Sequence, residues 1–240
     1  MSRTKLILLG LLAAVAVSVI ATASTSTPAS ASGSCSKVST APGYCVEGAP
    51  LVSSSAEVEG TNSGASILKG TVGSVTSEVK CEKGKMAGTI EGGAAGAVGK
   101  SKATMTFEEC KLVTPTNCEL TTKTIGTSEL KDELELTGSA KRIEDKFEPK
   151  AGTTFASIGF EGKESSCVIA HVGEEIKFAV SGSPVCEVDT SNAEAEAEAT
   201  THKMKCTNPV GLKIGGNKAE ITSEVAVKLK SGKNWSVKET

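Results

Sequence analysis

The residues able to do chemistry in this 240-residue chain are eight cysteines, two histidines and a spread of serines and carboxylates. The cysteines are Cys35, Cys45, Cys81, Cys110, Cys118, Cys167, Cys186 and Cys206. Zinc would ask for close ligand pairs, yet no Cys-x-x-Cys occurs, and His171 and His202 are the only histidines. An even set of well-spaced cysteines points instead to four disulfides. Their connectivity is open, since eight thiols allow ~105 pairings. Proximity nominates Cys110–Cys118, closing a short loop around Pro115 and Asn117, then Cys35–Cys45 and Cys167–Cys186.

Three patterns resemble catalytic motifs. Ala94-Ala95-Gly96-Ala97-Val98-Gly99-Lys100-Ser101 fits a loose phosphate-loop pattern. That chemistry needs a strand before the loop and a helix after it, so that amide groups converge on phosphate. Residues 102–108 alternate like a strand and Ala94 replaces the first glycine, so the segment reads as a hairpin loop. Ser77-Glu78-Val79-Lys80 has a Ser-x-x-Lys spacing, but on a strand residues three apart point to opposite faces. Glu198 and His202 are the least implausible acid–base participants of a carboxylate hydrolase, and His171 falls in a turn. Without a matching nucleophile, structural or exposed histidines are the plainer reading. Glu194, Glu196, Glu198, Asp132 and Glu133 read as solvated faces, with no Asp-x-Asp-x-Asp-Gly loop for calcium. No catalytic, metal-binding or cofactor-binding residue is assigned, and no cofactor.

The elements that would carry these residues begin after an export signal. Arg3 and Lys5 precede an apolar run from Leu6 to Ala23, and Ala21-Thr22-Ala23 and Ala29-Ser30-Ala31 offer cleavage sites. Residues 1–31 therefore read as a signal peptide, an uncleaved anchor being the lesser alternative, and no later stretch is apolar enough to span a membrane. Without Arg3 and Lys5 the chain holds 24 basic and 28 acidic residues, and it has only seven aromatics. Negative charge, dispersed lysines and no aromatic platform argue against nucleic acid.

Residues 32–55, rich in Ser, Gly, Pro and Ala, read as an irregular arm. Residues 56–240 form a β-rich domain; if it divides into two halves, they meet near 140–152. Val75, Ser77, Val79 and Cys81 alternate with polar residues, as do Ala103, Met105 and Phe107, and Leu130, Leu134 and Leu136. Ala219, Ile221, Val225, Val227 and Leu229 give the clearest strand, followed by a Ser231-Gly232-Lys233 turn and a return through Trp235 and Val237. The alternating Ala–Glu run from Ala193 to Ala199 leaves no apolar helical stripe, so residues 192–206 read as a strand with a bulge near Thr200 to His202. The expected fold is mainly β, an antiparallel sandwich or barrel of short strands, disulfide-stapled, with little helix.

Val79-Lys80-Cys81, the run from Lys102 to Cys110, Cys118, Gly152-Thr153-Thr154-Phe155 and the run from Lys230 to Val237 resemble uncharacterised secreted proteins found in many copies in some high-GC Gram-positive soil bacteria. The resemblance implies export and a disulfide-bonded β-rich module, and attaches no activity to any residue. The functional expectation is an extracellular or cell-surface binding or structural module with a possible cell-wall ligand, more a binder than an enzyme. The alternatives are a secreted carboxylate hydrolase and a secreted inhibitor or toxin.

Overall fold

Period-two alternation builds nearly every element of the computed structural model, which describes residues 35, 41–138, 142–189, 191–207 and 211–239. The expected signal peptide, residues 1–31, lies outside the described residues. In chain order the strands are β1 (Pro42–Val46), β2 (Ala49–Pro50), β3 (Ser55–Asn62), β4 (Ser66–Val72), β5 (Val75–Glu91) and β6 (Lys100–Thr114). Then come β7 (Cys118–Leu120), β8 (Thr124–Gly126), β9 (Leu130–Thr137), β10 (Arg142–Lys146), β11 (Glu148–Pro149) and β12 (Thr154–Gly162). After β13 (Glu175–Ser181) and β14 (Val185–Val188), a one-turn helix α1 (Asn192–Ala195) leads to β15 (Thr201–Cys206), β16 (Lys213–Ile214), β17 (Asn217–Leu229) and β18 (Trp235–Glu239). The fold is mainly β and antiparallel, as the alternation requires. Its long members exceed the short strands expected: β5 has 17 residues, β6 has 15 and β17 has 13.

The ladders close on themselves twice. One ring runs β17–β15–β14–β10–β9–β6–β5–β3 and back to β17, every pair antiparallel. The second runs β17–β4–β5–β6–β8, crosses to β12 through the Thr127–Ala156 bridge, and returns by β13 and β16. Both are eight-stranded barrels, a size whose interior side chains just fill. The long strands β5, β6 and β17 belong to both rings. This is why no cut near 140–152 separates two halves: the barrels share walls, and residues 32–240 form one unit.

Inward positions follow the alternation. Val79, Ala103, Met105, Phe107, Leu130, Leu134, Ile221, Val225, Val227 and Leu229 are all buried. Outward positions carry cross-strand ion pairs such as Lys228–Glu59 at 3.1 Å and Lys85–Glu108 at 2.8 Å. Exposed pairs of this kind each contribute about 0–1 kcal/mol. The interior must carry the stability.

A separate sheet, ordered β18–β1–β2, caps the first barrel. It corrects two expectations. Pro42–Val46 and Ala49–Pro50 of the supposed irregular arm are strands, with Tyr44 and Cys45 buried. Likewise, the return through Trp235 and Val237 pairs with β1 and not with β17. Burying Tyr44, Trp235 and Val237 against the barrel outweighs the local hairpin pairing that the turn suggested. The 192–206 segment is also not one bulged strand. Ser191 caps α1, its hydroxyl accepting from the Glu194 amide at 3.3 Å, and the strand begins only at Thr201.

All eight cysteines pair: Cys35–Cys45, Cys81–Cys110, Cys118–Cys167 and Cys186–Cys206. The first was expected; Cys110–Cys118 and Cys167–Cys186 were not formed. Cys110 sits directly across from Cys81 in the β5–β6 ladder, with Cα atoms 3.9 Å apart. Cys118 instead ties β7 to the loop after β12. Nearness along the chain was the wrong measure because long ladders bring distant residues into register.

Candidate functional site

The polar chemistry of the interior gathers where the cap meets the first barrel. On β6, β9 and β10 the inward rows place Ser101, Asp132 and Asp145 on the barrel's inner face, at 8%, 4% and 3% exposure. Ser101 lies opposite Asp132 in the ladder, and its hydroxyl donates to Asp132 Oδ2. Asp145 lies opposite Leu134, so it is the diagonal neighbour of Asp132, and Cys186 opposes it on β14. Above them Tyr44 comes down from β1, near enough to Ser101 and Asp145 for both to bear on its ionisation. Asp132 Oδ1 and Asp145 Oδ1 have no protein partner among the described residues.

Desolvation dominates the electrostatics here. Burial pushes the Asp132 carboxyl up to about 6, against the Ser101 hydrogen bonds that favour its ionised form. Asp145 is raised well above the ordinary carboxylate range, first by burial and then by repulsion from Asp132. Burial likewise raises the Tyr44 phenol well above its usual value. Two neighbouring carboxyls in such a place cannot both ionise cheaply.

A second buried network lies under Trp235. His202, 1% exposed, holds Asp189 Oδ2 at 2.5 Å through Nδ1 and the Trp235 carbonyl at 2.7 Å through Nε2. Both ring nitrogens are thus taken up by protein oxygens. The other Asp189 oxygen accepts from the Lys203 amide at 2.7 Å. The Trp235 ring stands edge-on to His202 with centroids 4.5 Å apart. On the cap's other face Ser236 donates to Glu198 Oε1 at 2.8 Å. Ser236 is therefore wired to Glu198 and not to His202, and the histidine has no free nitrogen to take a proton.

The residues singled out in the sequence are placed as follows. His171 is exposed in the loop after β12, far along the chain from any buried acid. Ser77 is inward and buried while Lys80 is half-buried and ion-paired with Glu82 at 3.0 Å, so the Ser-x-x-Lys pair is split by the strand. The phosphate-loop look-alike joins β5 to β6 as a hairpin loop, and no helix follows it. Its Gly99 amide donates to the Pro42 carbonyl at 2.9 Å, docking the cap. Glu133 is on a solvated face as expected, but Asp132 is not, which corrects its reading as surface charge. The residues missed were Asp145, Asp189 and Tyr44. Asp132 and Asp145 carried a signal: they share parity with Leu130 and Leu134, and with Ile143 and Phe147.

Cavities add little. The second barrel encloses about 40 Å³ among Val79, Phe107, Ile125, Phe155, Ile158 and Leu212, room for no more than a few water-sized molecules. Among the described residues no three His, Cys, Asp or Glu side chains gather into a set that would hold a metal ion. An open concavity of about 620 Å³ lies on the outer face across β15, β17, β3, β5 and β6. Thr61, Thr104, Thr106, Ala87 and Ala226 floor it, and Lys85, Lys228 and Glu59 stand at its rim.

Fold and site together define a disulfide-stapled double β-barrel with two buried acids and a buried histidine near its cap. No protein-family model, curated protein or solved structure matches the chain. Among the described residues no helix is long and apolar enough to cross a membrane.

Proposed function

We propose that the chain is an exported, non-catalytic binding or structural module of the cell surface or extracellular space. One observation carries this reading: His202 and Ser236 are held by internal partners, while a broad outer concavity is lined by threonine and alanine. His202 is enclosed between Asp189 and a carbonyl, and Glu198 holds Ser236. A rigid sheet face with a threonine floor and a charged rim suits adhesion to an extended polar polymer, because every hydroxyl offers both a donor and acceptors. Four paired disulfides suit an oxidising exterior.

The test is retention of the purified protein on an isolated cell-wall polymer fraction. Binding weakened at least tenfold by Thr104→Glu with Thr106→Glu supports the proposal. No retention on wall polymers, or hydrolysis of polysaccharide, peptide or ester substrates that Glu198→Gln abolishes, overturns it.

A further inference from the structure

We propose that Asp132 and Asp145 form an acid-set latch: protonation of the pair lets the β18–β1–β2 sheet close over the first barrel, and loss of that proton at rising pH releases the sheet.

The geometry comes first. Both side chains point into the barrel end that the cap covers, one beside Ser101 and the other beneath Tyr44. Each keeps one buried oxygen without a protein partner, which a proton on the pair would supply with a donor. The groups facing them are Tyr44 from β1, Ser101 from β6, Leu134 from β9 and the disulfide-bonded Cys186 from β14. Lys100, Lys102, Lys131, Glu135, Lys146 and Glu148 line an open cavity of about 400 Å³ on whose wall Ser101 and Asp132 also lie, and Glu144 faces outward on β10. Glu133 and Glu91 act on Asp132 through their negative charge and oppose its ionisation. His202, the other ionisable ring under the cap, is taken by Asp189 and the Trp235 carbonyl.

Neutralisation by a proton fits the donor set better than neutralisation by a cation. Two carboxyls and two hydroxyls fall short of the six to eight oxygens that calcium gathers. When the pair ionises, the two partnerless oxygens need water, which opening of the cap admits. No continuous ladder joins the cap to either barrel: β18 is held by the single Ala199–Trp235 bridge and β1 by the Gly99 amide on the Pro42 carbonyl, so β1 is the strand that yields over the acids. Burial holds both acids above their ordinary range, Asp132 at about 6, so release comes at higher pH than an exposed carboxyl would lose its proton.

The cap carries its own reporters, because Tyr44 and Trp235 are the chain's single tyrosine and single tryptophan. Near-ultraviolet circular dichroism of the oxidised protein is followed from about pH 4.5 to 8.5. The expected result is a loss of aromatic signal with a midpoint above about 6 while the far-ultraviolet strand signal holds. Asp145→Asn, alone or with Asp132→Asn, should abolish the loss or move its midpoint by more than one pH unit. Hydrogen exchange on the unaltered protein, corrected for intrinsic pH effects, gives a second reading if those variants do not fold. The β1 and β18 amides should then exchange at least tenfold faster at pH 8 than at pH 5, relative to those of β5. An unchanged aromatic signal across the range with unchanged exchange overturns the latch. So does a transition that persists in the double variant, which would assign it to His202. Loss of the acid-pH signal on adding a chelator would replace the proton by a bound cation and also overturn it.

Discussion

Gly99 stands where loop, cap and barrel meet. A β-carbon there would lie 2.7 Å from Tyr44 Cδ2 and 2.8 Å from Leu134 Cδ1, closer than packed atoms allow. Gly99→Ala should therefore cost about 1–3 kcal/mol, the usual penalty for overpacking, and thermal unfolding with near-ultraviolet dichroism would show both the loss and a disturbed Tyr44. His202 offers a sharper test. His202→Ala leaves Asp189 as a nearly buried carboxylate without its ring partner, which costs about 3–5 kcal/mol. Urea unfolding at pH 6 should show that loss; a change under 1 kcal/mol would mean the pair contributes little. Asp132 teaches a different lesson at this scale. Its position among the leucines of β9 was visible in the alternation, but aspartate's preference for water was allowed to outweigh parity. The partner that makes burial tolerable, Ser101, lies across the ladder and 31 residues away.

Among elements, the strands were the most legible because alternation is a local consequence of the pleat. The helix α1 was less so. Ser191-Asn192-Ala193-Glu194 has the Ser-x-x-Glu form of a capping box, a signal that the Ala–Glu alternation hid, and Ala195 is fully buried in the turn that results. The disulfides join elements that the chain order keeps apart, and their effects should differ. Cys118–Cys167 closes 49 residues and Cys35–Cys45 closes 10. Chain entropy puts these at about 4 and about 3 kcal/mol. Replacing Cys118 and Cys167 by serine should thus lower the urea midpoint more than replacing Cys35 and Cys45. The latter pair should chiefly loosen the cap, seen as greater quenching of Trp235 fluorescence by acrylamide. Equal midpoints would argue that strain or residual unfolded structure outweighs loop length.

For the whole molecule, the buried acids set the sign of the pH dependence. Asp132 rises to about 6 and Asp145 is higher than an ordinary carboxyl, so the folded protein holds protons that the unfolded chain has already released. Their full contribution is present below about pH 4 and is lost as pH climbs through 6 and beyond. Asp132 alone accounts for on the order of 3 kcal/mol. Glu82, Glu148, Glu175 and Glu224 shift the other way through hydrogen bonds to lysine, serine or threonine, but they lie at the surface where water and salt screen them. Urea midpoints at pH 4.5 and 7 should therefore favour the acid condition, and Asp132→Asn should shrink the difference. A midpoint higher at pH 7 would contradict the burial of these groups.

Amino-acid order alone determined the strand character, the inward and outward rows, the loop nature of the phosphate-loop look-alike and the pairing of thiols in general, because each depends on neighbours within a few residues. Tertiary structure alone decided which cysteines meet, that β5, β6 and β17 serve two barrels at once, that β1 and β18 leave their sequence neighbours to form a cap, and that Tyr44, Ser101, Asp132 and Asp145 converge beneath it. Ring closure is the reason. Register around eight strands is fixed only when the last strand meets the first, and no local pattern carries that distance.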